Sequence, residues 1–453
     1  MAESTNTIQK EIQDREAKER RELRRKRRRR NQILAILTLL LFVCLIVAII
    51  GSGVWYIMHR GAGKTAGGGA ATTEETTIDN LFESEDEIVK PEETNTEPAL
   101  TPEQQLDAIL DEAFISQMPL EDKVAGLFIV TPESITGVNK AVKAGDGTKD
   151  ALNKYAVGGI VYASQNMQDA AQFTEMVSNT TLYSRYALFT CVAEEGGSST
   201  SLEKAGLADK TDSEQAMGTG ADAAKAYEAS GKIADSMLTY GLNLNFAPVA
   251  DLATVQDSYL KDASYGSDAA LAASFVTSAV QGMQEKGISS CLKYFPGAAD
   301  MKEDPAKGMA SSERTAEQLA AEEFTVFKAG IDADADMVMV GHVAVPAITG
   351  DNTPCSLSSA VVTDKLRNEL GFNGVIITDA MNKGAITEYY EADEAAILAL
   401  KAGCDMILCP DDFEKAYNGV LEAVQNGTIS EERINDSLRR IYRIKYAGMK
   451  PEA

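Results

Sequence analysis

Two textures alternate through residues 103–453: short apolar runs, and longer Ala-rich stretches whose apolar positions recur with helical spacing. The short runs fall at 127–130, 159–162, 187–192, 244–248, 290–295, 337–340, 375–378 and 406–409. Runs of this length, rich in Val, Ile, Leu and Phe, are how strands buried on both faces read. The stretches between them include 221–240, 269–286, 316–329 and 391–402, which predict helices. Strands alternating with helices predict an α/β fold with a parallel sheet. Left open, the sheet would be doubly wound; closed, it is a (β/α)8 barrel of the TIM type. No Gly-x-Gly-x-x-Gly follows the first run, and eight repeats suit closure, so the barrel is the expectation.

The N-terminal region has a different pattern. Residues 31–58 contain no charged side chain and are long enough to cross a bilayer as a helix. Trp55 and Tyr56 sit near the far end, where interfacial aromatics belong, and a basic run at 24–30 precedes the span. The pattern predicts a single-pass transmembrane helix, with residues 1–30 a cytoplasmic basic tail and the barrel extracellular. A cleaved signal peptide is the competing reading, but its apolar core would be shorter. Residues 59–102 are Gly-rich and then Thr/Glu-rich, which predicts an acidic flexible linker.

Charge sharpens this division. The 453-residue chain has a net charge of −25, yet residues 1–30 carry 12 Lys/Arg against 6 Asp/Glu. An acidic body gives no electrostatic basis for nucleic-acid binding. Cys44 lies in the apolar span, and Cys191, Cys291, Cys355, Cys404 and Cys409 lie in or beside later apolar runs without zinc or disulfide spacing. Free thiols are expected.

Chemistry in a barrel gathers in the loops after the strands. Those loops hold Glu194 and Glu195, then Asp251, then Lys293, Asp300 and Asp304, then His342, Asp379, Asp411 and Asp412. The set has neither metal spacing nor a phosphate loop, so no metal or cofactor is expected. Paired carboxylates suit glycoside hydrolysis, in which one is the nucleophile or base and another the acid. Asp379 stands out because it is flush with a buried run.

The motifs carry a resemblance. They include Met118-Pro-Leu-Glu-Asp-Lys-Val-Ala-Gly-Leu-Phe128, Asn245-Phe-Ala-Pro-Val-Ala-Asp251, Leu292-Lys-Tyr-Phe-Pro-Gly297 and Gly374-Val-Ile-Ile-Thr-Asp-Ala-Met381. In order along residues 118–446, they resemble the N-terminal barrel of family 3 glycoside hydrolases, specifically the β-N-acetylhexosaminidase branch. The resemblance implies a retaining hydrolase of amino-sugar glycans, with Asp379 as nucleophile. It implies carbohydrate as the partner and a substrate-binding role for Lys293. Tyr294, Glu194, Glu195, Asp251 and His342 are the further substrate-binding candidates.

The departures from the family pattern fall at the site. The family's acid/base is an Asp-x-His pair, and the matching stretch here is Asp304-Pro-Ala306, so Asp304 is the remnant of that dyad. The family's Lys-His-Phe-Pro-Gly-His-Gly is Lys293-Tyr294-Phe-Pro-Gly-Ala298-Ala299 here. Its sugar-holding Asp and Arg in the loop after the third strand are matched by Ala193 and Ser201, and a further Arg by Ala263. Two readings therefore stand: a membrane-anchored glycosidase, or a catalytically impaired pseudoenzyme that binds glycan or an envelope protein.

Overall fold

The computed structural model describes residue 110, residues 114–298 and residues 300–446. The described strands are β1 (Phe128–Val130), β2 (Gly159–Val161), β3 (Phe189–Val192), β4 (Leu244–Asn245), β5 (Ser289–Phe295), β6 (Met337–Val340), β7 (Val375–Ala380) and β8 (Met406–Leu408). They pair in chain order, all parallel, and β1 closes the barrel on β8 with Phe128 opposite Ile407 and Ile129 opposite Leu408. Every residue of β1, β3 and β6 is buried, as expected for strands walled by helices outside and packed side chains inside.

The longer helices are α1 (Asp146–Lys154), α2 (Ala170–Tyr183), α3 (Ala224–Thr239), α4 (Ala269–Gln284), α5 (Glu323–Asp332), α6 (Ala360–Glu369), α7 (Ala392–Ala402), α8 (Phe413–Gln425) and α9 (Glu431–Lys445). Local sequence sets where several begin. Asp169 caps α2 by accepting from Gln172 N at 2.9 Å, and Asp268 caps α4 from Leu271 N at 2.8 Å. Asp412 does the same for α8 from Lys415 N at 3.0 Å. α6 is a π-helix rather than an α-helix.

One expected helix divides. Segment 316–329 forms a short helix, Ala316–Ala321, and then α5, with a break at Glu322 (φ −116°, ψ −77°). Arg314 binds Glu322 Oε2 at 2.5 Å and Glu323 Oε2 at 2.7 Å. Adjacent residues of one helix do not face the same way, so two neighbouring acids meeting one guanidinium favour a broken helix.

At the end of the barrel away from the active loops, Asp405 is fully buried before β8. It accepts from Ile376 N at 3.0 Å, Arg367 at 2.7 Å, Arg440 at 3.0 Å and Ser437 Oγ at 2.8 Å. One carboxylate thus ties β7 to α6 and α9. Cys191, Cys291, Cys355, Cys404 and Cys409 are free thiols. The expected transmembrane segment and linker lie outside the described residues, and among the described residues no helix is long and apolar enough to cross a membrane.

Candidate active site

Asp379 is the penultimate residue of β7, where the strand reaches the mouth of the barrel. Its Oδ1 accepts from Ala380 N at 2.7 Å and its Oδ2 from Lys383 Nζ at 2.6 Å. Burial alone would raise this carboxyl, but the charge of Lys383 and the two hydrogen bonds outweigh it. The net position is below the ordinary aspartate value, so the carboxylate is held ionised. His342 reaches the same strand end: Nε2 lies 3.0 Å from Ala380 O and Nδ1 lies 2.8 Å from Ser356 Oγ. A carbonyl can only accept, so Nε2 carries the proton and Nδ1 takes the serine hydroxyl. Burial is the largest influence on His342 and lowers its pKa, keeping the ring neutral.

On β5, Lys293 is buried and donates to Glu195, also buried. Burial by itself would lower the Lys293 pKa, but the charge and hydrogen bond of Glu195 hold it above the ordinary lysine value. Behind this pair, Glu214 receives Val249 N on its two oxygens at 3.1 and 3.2 Å. Burial, reinforced by the Glu195 charge, pushes Glu214 well above the usual carboxylate range, so it is neutral. The Tyr294 ring is near both cations, 5.4 Å from Lys293 Nζ and 5.4 Å from Lys383 Nζ.

The third wall comes from the long loop after β5. Asp304 accepts from Ala306 N at 2.9 Å and opens the short turn Pro305–Lys307. That turn packs against Gly384: a Cβ there would meet Gly308 N at 2.8 Å, so only glycine admits the approach. Asp304, Ala306, Tyr259, Tyr294, Glu195, His342, Asp379 and Lys383 together line one cavity of about 240 Å³. Burial and the surrounding acids, Asp251 foremost, push the Tyr259 phenol well above its ordinary value, so it faces the cavity as a neutral hydroxyl.

Asp379 at a barrel strand end and Asp304 in the loop after β5 line the same cavity, and the comparisons with known proteins say which family builds such a barrel. Residues 119–444 match the glycosyl hydrolase family 3 N terminal domain. The chain belongs to that family. A beta-hexosaminidase of Stenotrophomonas maltophilia is 30% identical over 284 residues, covering 60% of this chain and 82% of the relative. One from Xanthomonas campestris pv. campestris is 31% identical over 57% of this chain and 79% of its own. Among solved structures, the family 3 β-N-acetylglucosaminidase of Paenibacillus sp. superposes with a TM-score of 0.69 at 31% identity, covering 74% of this chain and 64% of that one. The β-N-acetylhexosaminidase of Beutenbergia cavernae does so with a TM-score of 0.65 at 26% identity, covering 73% and 99%. This is a hexosaminidase-like family 3 barrel.

Within this family 3 site the cavity lining holds Asp379, Asp304, Tyr294, Glu195 and His342, with Lys293 buried against Glu195 and outside the lining, and the other candidates lie elsewhere. Glu194 turns to a different cavity, beside α3, and its Oε1 accepts from Ser201 N and Leu202 N, both at 2.5 Å. Burial raises the Glu194 carboxyl to about 7. Side chains alternate along an extended strand end, so Glu194 and Glu195 cannot face one cavity. Asp251 is also not in the lining. It sits behind it, with Oδ1 accepting from Leu252 N and Ala298 N at 2.9 Å each, and burial holds it well above the usual aspartate range. Its work is to fix the bend after β5, where Gly297 adopts φ +113°. Asp300 binds Ser312 Oγ and Glu313 N, while Asp411 and Asp412 line a separate cavity beside α7 and α8. His342, though in the lining, has both ring nitrogens committed to the protein.

Lys383, Tyr259 and Glu214 are site residues that sequence reasoning missed. Lys383 carried a signal, being a lone cation four positions after the candidate nucleophile. Tyr259 comes from a loop, and Glu214 opens the six-residue helix Glu214–Thr219, too short for any periodicity to reveal.

Proposed function

We propose that the protein is a membrane-anchored glycosidase that cleaves β-linked amino-sugar glycans outside the cell by a retaining mechanism. The observation that carries this reading is the ionised Asp379 carboxylate at the β7 end, facing a cavity that also holds Asp304. In the first step an Asp379 oxygen bonds to the anomeric carbon as the glycosidic C–O bond breaks, and the departing oxygen takes a proton from the Asp304 side. Water then attacks the anomeric carbon of the glycosyl ester and passes a proton back to the Asp304 side, which restores the acid and releases the sugar and the Asp379 carboxylate. Tyr259 and Tyr294, both in the cavity lining, offer the sugar neutral polar and aromatic contacts.

Asp304 has Ala306 beside it where the family resemblance implies a histidine. A positioned acid/base contributes typically about 10²–10⁴ in rate, so its weakening should show most where the leaving group needs a proton. N-acetylglucosaminides that release acidic phenols should therefore be cleaved far faster than those that release alkyl alcohols, and Asp379→Asn should abolish turnover of both. Initial rates across such a leaving-group series test this. Absence of any turnover above the Asp379→Asn background, with saturable glycan binding intact, would replace the enzyme with a glycan-binding barrel.

A further inference from the structure

Lys383 is placed differently from an ordinary surface partner of an aspartate. Its ammonium lies 2.6 Å from Asp379 Oδ2, and its side chain is only 26% exposed, against 9% for Asp379. The spacing of four residues is that of a helix pair, yet Asp379 ends a strand and Lys383 precedes the short helix Gly384–Thr387. The Lys383 carbonyl is fixed by Ile386 N at 2.9 Å and Thr387 N at 3.0 Å. The next residue, Gly384, is wedged against the turn that carries Asp304. Lys383 is therefore held between the two carboxylate-bearing loops, and its pairing is not the solvent-screened kind.

We propose that Lys383 is a positioning residue for the glycosidase reaction: it clamps Asp379 Oδ2, keeping the carboxylate charged and in one orientation at the barrel mouth. The inference rests on the reading of Asp379 as nucleophile. It accounts for Tyr294 as well. When Asp379 becomes a glycosyl ester its charge is lost, and a buried ammonium needs another acceptor. The Tyr294 ring, 5.4 Å from Lys383 Nζ, supplies a π face that remains in place through the cycle. Other ionisable groups acting on or beside Asp379 are His342, Tyr294, Tyr259, Cys291 and Cys409. His342 is neutral, and the phenols and thiols are kept protonated by burial, so Lys383 is the cation in contact with the carboxylate. Lys293 is spent on Glu195.

The test uses the full chain in detergent, with Lys383→Met, Lys383→Gln and Lys383→Arg variants confirmed as folded by circular dichroism. Esterification of Asp379 by a diazoacetamide consumes the protonated acid, and peptide mass spectrometry reads its midpoint without requiring turnover. In the wild type that midpoint should lie below the ordinary aspartate value. In the Met and Gln variants it should rise by one pH unit or more, about a tenfold gain in proton affinity. Arg should restore it. The acid limb of kcat/KM should move by the same amount. A folded Met or Gln variant with an unmoved midpoint overturns the assignment. A moved midpoint in a chain that cleaves no glycoside supports the clamp and overturns the glycosidase reading instead.

Discussion

Asp379 and Ala306 show how much one side chain decides at this site. Asp379 keeps its charge because the protein supplies a backbone N–H, a lysine and a fixed strand end around it. Ala306 supplies nothing. It is exposed at the cavity rim, in a turn already pinned by Asp304 and Gly384, so a larger side chain has room there. Ala306→His should return an imidazole to the acid side of the cavity. For substrates with poor leaving groups, turnover should rise by about one to two orders of magnitude, within the range a positioned acid/base supplies. Substrates with excellent leaving groups should hardly respond. Steady-state rates of the variant on both kinds of glycoside check the expectation. A uniform change across the series would mean that the imidazole does not act as the acid.

At the scale of elements, strands and helices were far more legible than their partnerships. Each of the eight apolar runs overlaps a strand, because burial on both faces leaves a continuous apolar signature that needs no periodicity to read. The helix over 316–329 was misread because helical spacing continues through Glu322, while the Arg314 contact that breaks it comes from outside the segment. Asp405 was equally hidden: an acid before a strand looks like loop, yet it joins β7, α6 and α9 through Arg367, Arg440 and Ser437. Removing one partner of a buried ion cluster strands the others. Asp405→Ala should therefore destabilise the barrel by about 3–5 kcal/mol, as the breaking of buried pairs typically does. Equilibrium unfolding in urea measures it. The cluster lies away from the active loops, so the residual folded fraction should keep the wild-type response to leaving group.

For the whole molecule, the proposed membrane setting rests on the arrangement along the chain. Residues 24–30 are basic, residues 31–58 are uncharged, and residues 59–102 combine glycine with acidic and hydroxyl side chains. On the proposed reading, the apolar segment holds the barrel at a membrane surface, and the linker lets it reach glycans from there. An epitope placed before residue 24 should be recovered in the membrane fraction on the same full-length species as the barrel, and alkaline carbonate should not release it. Recovery of a soluble barrel lacking the epitope would replace the anchor with a cleaved leader.

The sequence by itself determined the barrel, the family and the place of Asp379. Each of these rests on local pattern: apolar runs of strand length, motifs in a fixed order, and a carboxylate at a strand end. Tertiary structure decided which acids work together. It turned Glu194 away from Glu195, withdrew Asp251 behind the cavity wall, committed both nitrogens of His342, and brought Lys383 and Tyr259 to the cavity of Asp379. The physical reason is that burial and charge act through space. A carboxyl's protonation depends on the cations, amides and water around it, and those neighbours arrive from strands and loops far apart in the chain.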